Sequence, residues 1–164
     1  MKFLLDANIY FAAIHDASFL AHYRDDFLRI GPRTFLSSVV MAELLQGAKG
    51  ELGVVMAELL QGAKGELGRA RINRATQHLE RAGRVVPPTH DDWVSAGTVQ
   101  GRIWDDDASL RTKRLLNDIL IACASRRIDA ILITENTRDF RLIQRYLPHR
   151  ALTMAEVAKA LPMR

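Results

Sequence analysis

Short apolar segments with strand-like character alternate along this chain with longer segments of helical character. Strands joined by helices run parallel and are covered by those helices. The alternation therefore predicts an α/β fold with a mostly parallel central sheet and helices on both faces. The predicted strands are Lys2–Leu5, Arg33–Leu36, Ala130–Thr134 and Ala151–Leu152. The predicted helices are Ile9–His15, Ser18–Arg29, one capped by Ser37 or Ser38, Leu67–Ala82, Asp91–Trp104, Leu115–Arg126, Arg138–Tyr146 and Met154–Leu161.

The composition is that of an ordinary globular domain. The chain has 164 residues, of which 48% are hydrophobic and 26% charged, so we expect residues 1–164 to form a single domain with one sizeable core. The only cysteine, Cys123, excludes an internal disulfide framework and a Cys-rich zinc site. No apolar run is long enough to span a bilayer, and the first residues read as a strand rather than a signal peptide. We therefore expect a cytoplasmic protein.

The chain is basic, with a formal net charge of +4 and a pI near 9.6. Lysine and arginine neutralise phosphates and release counterions, so this balance favours a polyanionic partner such as RNA. One arginine group lies between positions 138 and 150. Solvated helix faces explain most such groups, and the charge alone does not identify a nucleic-acid site.

A perfect tandem duplication interrupts the chain. Residues 39–53 recur letter for letter as residues 54–68. Two identical short copies without a third are not a solenoid, and an in-frame duplication explains them better. In one continuous helix the second copy would lie about 22 Å further along and be rotated by roughly 60 degrees. Glu43 and its duplicate, Glu58, could then not share a site.

Four acids are predicted to meet at one edge of the sheet. Asp6 ends the first strand, Asp139 follows the strand near position 132, and Glu43 and Asp118 lie early in helices. Ligands collect at the carboxyl ends of parallel strands. Taken singly, Asp6 as a turn residue and Asp118 as a helix cap are equally good interpretations. Together, several carboxylates in one cleft require a cation, and oxygen ligands favour Mg²⁺ or Mn²⁺ over zinc.

Such a cluster suits the hydrolysis of a phosphodiester. One or two ions can hold the phosphate and activate water, while the carboxylates position both. A Gly-x-Ser-x-Gly elbow and a Gly-x-x-x-x-Gly-Lys loop are both absent from the sequence. The five histidines are scattered, and none forms a pair at metal-ligand spacing. The sequence therefore favours metal-assisted hydrolysis without a nucleophilic serine.

Four ordered motifs resemble those of PIN-domain ribonucleases, and most of all the VapC-type toxins of toxin–antitoxin pairs. They are Leu4-Leu5-Asp6-Ala7-Asn8, Ser37-Ser38-Val39-Val40-Met41-Ala42-Glu43-Leu44, Asn117-Asp118-Ile119-Leu120-Ile121-Ala122 and Leu132-Ile133-Thr134-Glu135-Asn136-Thr137-Arg138-Asp139-Phe140. The resemblance implies a PIN-like three-layer sandwich and a Mg²⁺-dependent endoribonuclease. It also implies a homodimer and a cognate antitoxin whose tail reaches the acidic site.

By position, the resemblance makes Asp6, Glu43 and Asp118 the three core metal-binding acids. Many PIN domains have an acid where this chain has Asn136, whereas toxin-like members often place Asp three residues later. Asp139 is accordingly interpreted as the fourth acid, and Asn136 as a neutral group that orients water or substrate.

Three further residues are candidates for a supporting role. Asn8 is expected to fix the loop beside Asp6, and Thr134 or Ser38 to donate to a carboxylate or phosphate. For all three, an ordinary turn or cap role is an equal alternative. Glu135 is interpreted as a solvent-facing turn residue.

The duplication leaves two candidates for one acid position. Glu43 retains the upstream strand and serine cap, whereas Glu58 retains the downstream helix. Because capping and register are set where the chain leaves the sheet, Glu43 is the preferred ligand and Glu58 the alternative. The second hypothesis for function is a PIN-like interaction module whose catalysis the duplicated segment has impaired.

Other suggestive residues are assigned to structure. Trp93, Trp104 and Tyr146 are expected to pack in the core or an interface rather than stack on bases. The chain is predicted to form a polar loop over 105–109, and its three consecutive acids at 105–107 are expected to face water, because neighbouring side chains point in different directions.

Overall fold

The computed structural model describes residues 1–47, 77–112 and 115–161 and contains a five-stranded parallel sheet. The strand order is β3-β2-β1-β4-β5, and every neighbouring pair is parallel. The strands are β1 (Lys2–Leu5), β2 (Thr34–Ser37), β3 (Val85–Val86), β4 (Ala130–Ile133) and β5 (Ala151–Leu152).

Helices fill the connections between the strands. They are α1 (Ala7–His15), α2 (Ala17–His22), α3 (Arg24–Ile30), α4 (Ser38–Gly47), α5 (His90–Asp106), α6 (Leu116–Arg127), α7 (Thr137–Gln144) and α8 (Met154–Ala160). Short 3₁₀ turns lie at Gly31–Arg33 and Ala108–Thr112, and residues 77–81 are helical. Parallel crossovers are nearly always right-handed, which places helices on both faces of this sheet. The predicted α/β class and parallel sheet are confirmed.

The sheet order creates a crevice between β1 and β4. From β1 the chain continues to β2 and β3 on one side, whereas from β4 it continues to β5 on the other. Connections that leave two neighbouring strands in opposite directions open a crevice at the strands' carboxyl ends. Leu5 pairs with Ile133 at those ends, so Asp6 and Thr134, the next residues, lie side by side.

The two central strands are buried on both faces, which explains their continuous apolar runs. Phe3, Leu4 and Leu5 of β1 are buried, as are all residues of β4. Helix α6 packs against α5, α7 and β4, and its residues 119–125 are all buried. Among them is Cys123, and burial raises the pKa of its thiol to about 11.

The single helix predicted over Ser18–Arg29 is wrong, because the chain breaks at Tyr23. Tyr23 has φ −102° and ψ 13°, which is not helical. Its ring packs edge-on against the ring of Phe19, with the ring centroids 4.9 Å apart. The Phe19 ring also lies beside that of Phe27, with the centroids 6.3 Å apart. This aromatic packing outweighs helix continuity, and periodicity along the sequence does not reveal it.

Two further differences concern short elements. Strand β3 was not predicted, because two residues cannot show a period-two pattern. The loop predicted over 105–109 is instead the end of α5 followed by a 3₁₀ turn. Its acids are exposed, as predicted: Asp106 accepts a hydrogen bond from Tyr146, and Asp107 accepts two from Ser109.

The duplication lies only partly within the described residues. Helix α4 falls in the first copy, whereas the second copy, with Glu58, lies outside them. The helix predicted over Leu67–Ala82 is described only from residue 77. Gly83, at φ +65°, follows its end. Within the three described ranges, no helix combines the length and the apolar character needed to cross a membrane.

Candidate functional site

Asp6 lies at the carboxyl end of β1 and caps the N-terminus of α1. Its Oδ1 accepts a hydrogen bond from the backbone N–H of Ala7 at 2.7 Å. Its Oδ2 accepts two more, from the Thr134 hydroxyl at 2.7 Å and from Nδ2 of Asn8 at 2.7 Å. Asp6 is only 4% exposed, so neutral donors hold a buried carboxylate in one orientation.

Thr134 connects this carboxylate to the loop after β4. While its hydroxyl donates to Asp6, it accepts from Nδ2 of Asn8 at 3.0 Å and from the backbone N–H of Asn136 at 3.0 Å. A hydroxyl has one donor and two acceptor positions, and here all three are used. Asn8 in turn accepts from the N–H of Glu135 at 3.2 Å. The loops after β1 and β4 are therefore locked together.

Asn136 lies between two further acids. Its Nδ2 donates to Oδ2 of Asp118 at 3.4 Å and to Oδ2 of Asp139 at 3.3 Å. Both distances are long for an N–H···O bond, so these contacts locate the carboxylates without binding them tightly. Asp118 is in the first turn of α6, whose N-cap is Leu115, so it is not the helix cap that the sequence left open. Asp139 is in the first turn of α7.

Glu43 completes the group from α4. Its Oε1 accepts a hydrogen bond from Nδ2 of Asn117 at 2.7 Å, and Asn117 immediately precedes Asp118. Glu43 also interacts with Asp6, since its charge contributes to raising the pKa of that carboxyl. Asp6, Asp118 and Asp139 are thus linked through one network of amides and a hydroxyl. Glu43 adjoins this network, since it bonds the chain neighbour of Asp118.

Burial is the main influence on Asp6. The loss of solvent raises the pKa of this carboxyl above its ordinary value of 3.8, and the negative charge of Glu43 acts in the same direction. The bonds from Thr134 and Ala7 act against this by stabilising the ionised form. A cation beside Asp6 would oppose both effects that raise the pKa.

The donor set fits a hard divalent cation, although the acids are not yet in coordinating positions. All four candidate ligands are carboxylates, the group that Mg²⁺ and Mn²⁺ prefer. In the part of the chain that the structure describes, however, no three His, Cys, Asp or Glu side chains are arranged so that they could hold one metal ion. Binding would require these side chains to close on the ion.

The remaining candidates have distinct positions. Asn8, Thr134 and Asn136 belong to the network, whereas Ser38 opens α4, and it is the neighbouring Ser37 whose Oγ accepts from the N–H of Val39 at 3.2 Å. Glu135 is exposed, as predicted, and its Oε1 accepts from the N–H of Met154 at 3.0 Å, at the start of α8. Its carboxylate is therefore engaged away from the four acids.

The predicted packing of the aromatic residues is partly correct. Trp104 and Tyr146 are half-buried against the core. Trp93 is 51% exposed on α5 and is not a core residue, because it lies at the flank of the helix face that buries Ala96 and Ile103.

Sequence reasoning gave Asn117 no role. The adjacency of asparagine and aspartate in an apolar helix was visible, but nothing in it indicates that Asn117 reaches a glutamate 74 positions away. Only the packing of α4 against α6 creates that contact.

The sequence matches the family model of the PIN domain over residues 3–146. Because this match spans most of the chain, the protein belongs to the PIN domain family. PIN domains are generally nucleases, which agrees with an acidic crevice at the carboxyl ends of a parallel sheet. A search of curated proteins found no match.

Solved structures with the same fold include several VapBC proteins. VapBC-1 from nontypeable Haemophilus influenzae gives a TM-score of 0.54 at 19% identity, covering 94% of this chain and 99% of that one. VapBC2 from Rickettsia felis, bound to a DNA fragment from its promoter, gives a TM-score of 0.53 at 18% identity. The match covers 93% of this chain and 98% of that one. DNA-bound VapBC from Salmonella typhimurium gives a TM-score of 0.52 at 23% identity. The match covers 94% of this chain and 98% of that one. At these identities the likeness concerns the fold.

Proposed function

We propose that this protein is a metal-dependent endoribonuclease of the VapC toxin type, with Asp6, Glu43, Asp118 and Asp139 as its metal-binding acids. The observation that carries the proposal is the buried carboxylate of Asp6, which neutral donors orient at the edge where three other acids approach. A buried carboxylate is costly unless it is compensated, and an external dication compensates it.

Mg²⁺ or Mn²⁺ is the proposed cofactor. When bound, the ion supplies Lewis acidity toward the scissile phosphate and toward the attacking water. Thr134 and Asn8 keep Asp6 pointing into the crevice, and Asn117 holds Glu43. Asn136 touches both Asp118 and Asp139, so it would move with them when they close on the ion. Outer contacts of this kind fix the orientation of ligands and tune affinity.

RNA is the proposed substrate, supported by the basic net charge and by exposed arginines on α7, which begins beside the acids. A cognate antitoxin is proposed from the structural neighbours, which are VapBC toxin–antitoxin complexes. A homodimer is proposed from the resemblance of the motifs alone. Because Glu43 lies in the first duplicated copy, that copy is the proposed source of the α4 ligand. Glu58 stays the alternative.

One observation favours a second function. No three acidic side chains within the described ranges are already in coordinating positions, which is what a PIN-like interaction module with impaired catalysis would show. Titration calorimetry with Mn²⁺ separates the two functions. A nuclease should bind the ion and lose that binding in Asp118→Asn, whereas an impaired module should bind none.

RNA cleavage tests the proposal directly. Purified protein is incubated with single-stranded RNA and Mg²⁺, in parallel with Asp6→Asn, Asp118→Asn and the matched control Asp105→Asn, which changes an exposed acid outside the network. We expect the wild type and the control to cleave and the two site variants to be inactive. Equal cleavage by all four proteins would reject the assignment.

A further inference from the structure

A small cavity lies between α7, β5 and the start of α8. Its volume is about 160 Å³. The residues that line it are Thr134, Thr137, Phe140, Arg141, Gln144, Ala151, Leu152, Thr153 and Glu156. Pockets that enclose a whole drug-sized ligand are typically about 300–1,000 Å³. This one has room for a single ring system.

Thr134 places this cavity beside the acidic crevice. The same residue that lines the cavity donates its hydroxyl to Oδ2 of Asp6 at 2.7 Å. A phosphodiester held at Asp6 would therefore have one of its two flanking nucleotides next to the cavity.

The cavity walls suit a flat ring. Ala151 and Leu152, which are half-buried, supply apolar surface. Phe140 lines the cavity from the core side, is 1% exposed, and packs edge-on against the His149 ring with the ring centroids 5.9 Å apart. Nucleobases extruded from a strand bind where an apolar or aromatic surface meets a few polar groups.

The polar groups divide into engaged and available ones. Oε2 of Glu156 accepts from the backbone N–H and the hydroxyl of Thr153, which leaves Oε1 as an available acceptor. Gln144 donates its Nε2 to the carbonyl of His149 at 3.1 Å. That bond fixes the amide, so its Oε1 is also an acceptor. Two acceptors favour a base that carries an exocyclic amino group.

Arg141 supplies positive charge at the same cavity. It is exposed, and among the residues that the structure describes it has no hydrogen bond or ion pair. Arg138, three positions earlier on the same helix, and Arg145, four positions later at its C-cap, are also exposed. Residues at this spacing share a helix face, so α7 presents a line of guanidinium groups that starts beside the acids.

We propose that this cavity binds the nucleobase next to the cleaved phosphodiester and selects adenine, cytosine or guanine over uracil. The selection uses the acceptors of Gln144 and Glu156, while Arg141 holds an adjacent phosphate. This inference rests on the proposed ribonuclease function and names a determinant of its specificity.

Sequencing the ends released from an RNA pool of random sequence measures the base preference beside the cut. We expect the wild type to disfavour uracil by about tenfold at one flanking position, which is within the discrimination that a bidentate contact to a base edge provides. Gln144→Met should remove the preference, and Arg141→Ala should slow cleavage of all sequences. Arg24→Ala removes the same charge from an exposed position on α3, which does not line the cavity, and should preserve both preference and rate.

A binding measurement keeps the inference testable if no RNA is cleaved. Fluorescence anisotropy is recorded without divalent metal on two short labelled RNAs. One contains adenosine at a chosen position, and the other, the purine RNA, contains purine riboside there, which lacks only the amino group. Weaker binding of the purine RNA to the wild type, but not to Gln144→Met, supports the cavity even if the ribonuclease function fails. Equal binding of both RNAs, or cleavage without base preference, overturns the inference. The inference is also overturned if Gln144→Met and Arg141→Ala change only the binding of a protein partner and leave RNA binding and cleavage as in the wild type. Thermal melts establish that each variant is folded.

Discussion

Asp6 and Asp92 are two almost equally buried aspartates in opposite electrostatic settings. Asp6 is 4% exposed and Asp92 6% exposed. Asp92, in the first turn of α5, accepts from Nε of Arg127 at 3.0 Å and from the N–H of Thr89 at 2.9 Å. Asp6, at the end of β1, accepts only from a hydroxyl, a side-chain amide and a backbone N–H among the described residues.

The difference separates a structural acid from a functional one. The guanidinium of Arg127 neutralises Asp92 and, through a 2.7 Å bond to the carbonyl of Pro87, ties α6 to the segment before α5. Neutral donors orient Asp6 without neutralising it, and burial raises its pKa. A cation from solution binds most favourably beside a buried carboxylate that no internal cation already neutralises. Burial alone therefore does not identify a functional acid, whereas the identity of its partners does.

The largest expected effect is on catalysis. Asp6→Asn should reduce RNA cleavage by about 100-fold or more, because it removes a charge that would hold the metal, and cleavage rates with Mg²⁺ measure it. Asp92→Asn is the matched variant, with equal burial and the same chemical change. It should cleave at the wild-type rate at a temperature where it is folded. If both variants lose activity equally, the distinction between the two acids is wrong.

The next effect tests the residue that sequence reasoning missed. Asn117→Ala should weaken Mn²⁺ binding by about 10–100-fold, because Glu43 loses the amide that orients it. Titration calorimetry measures the affinity. Gln46→Ala, an exposed change on the same helix as Glu43, is the control and should bind Mn²⁺ normally. Unchanged affinity in Asn117→Ala would mean that Glu43 is not a ligand.

Stability should be affected more by Asp92→Asn than by Asp6→Asn, which is the reverse of the order expected for catalysis. Asp92→Asn should lower the free energy of unfolding by about 1–3 kcal/mol, because the ion pair with Arg127 and the charged half of the capping box are lost. Denaturant unfolding without metal measures it. Asp6→Asn stabilises the fold by removing a buried charge, but it also destabilises the fold by placing an amide N–H₂ opposite a hydrogen-bond donor. These opposing effects should leave a change below about 1 kcal/mol. A larger loss in Asp6→Asn than in Asp92→Asn contradicts the comparison.

His149 extends the comparison to a buried base, with the smallest expected effect. Its Nδ1 bonds the carbonyl of Leu147 at 2.7 Å, and its buried Nε2 has no hydrogen-bond partner among the described residues. Burial lowers the pKa of this imidazole below its ordinary value of 6.5, so the folded state prefers the neutral ring. Its contribution to stability is complete above pH 6.5 and is lost as pH falls through the lowered pKa.

Melting temperatures between neutral and mildly acidic pH check this expectation. His149→Gln should flatten the decline relative to the wild type, whereas His90→Gln, a change at an exposed histidine, should not. Parallel declines in all three proteins would show that His149 does not titrate as described.

Much of the fold was predictable because its central strands are covered on both faces. Such strands leave apolar runs that are visible in the sequence, as Leu4 and Leu132 show. The break at Tyr23 was not predictable, since it depends on aromatic contacts between α2 and α3. Strand β3 was too short to leave a pattern.

The candidate site divides in the same way. Asp6 and Asp118 were identifiable as charges at the edges of apolar segments, and Asp139 followed from a resemblance of motifs. The bonds that join them could not be predicted. Asn8 and Thr134 are 126 positions apart, and Thr134 and Asp6 are 128 apart.

By itself, the sequence determined which segments become strands and helices and which acids directly follow them, because periodicity and burial act on neighbouring residues. The tertiary structure alone decided that β1 lies beside β4, and with it which carboxylates share a crevice and which amides hold them. A side-chain hydrogen bond forms only between groups within about 3.5 Å. For residues more than a hundred positions apart, the pairing of strands creates that proximity.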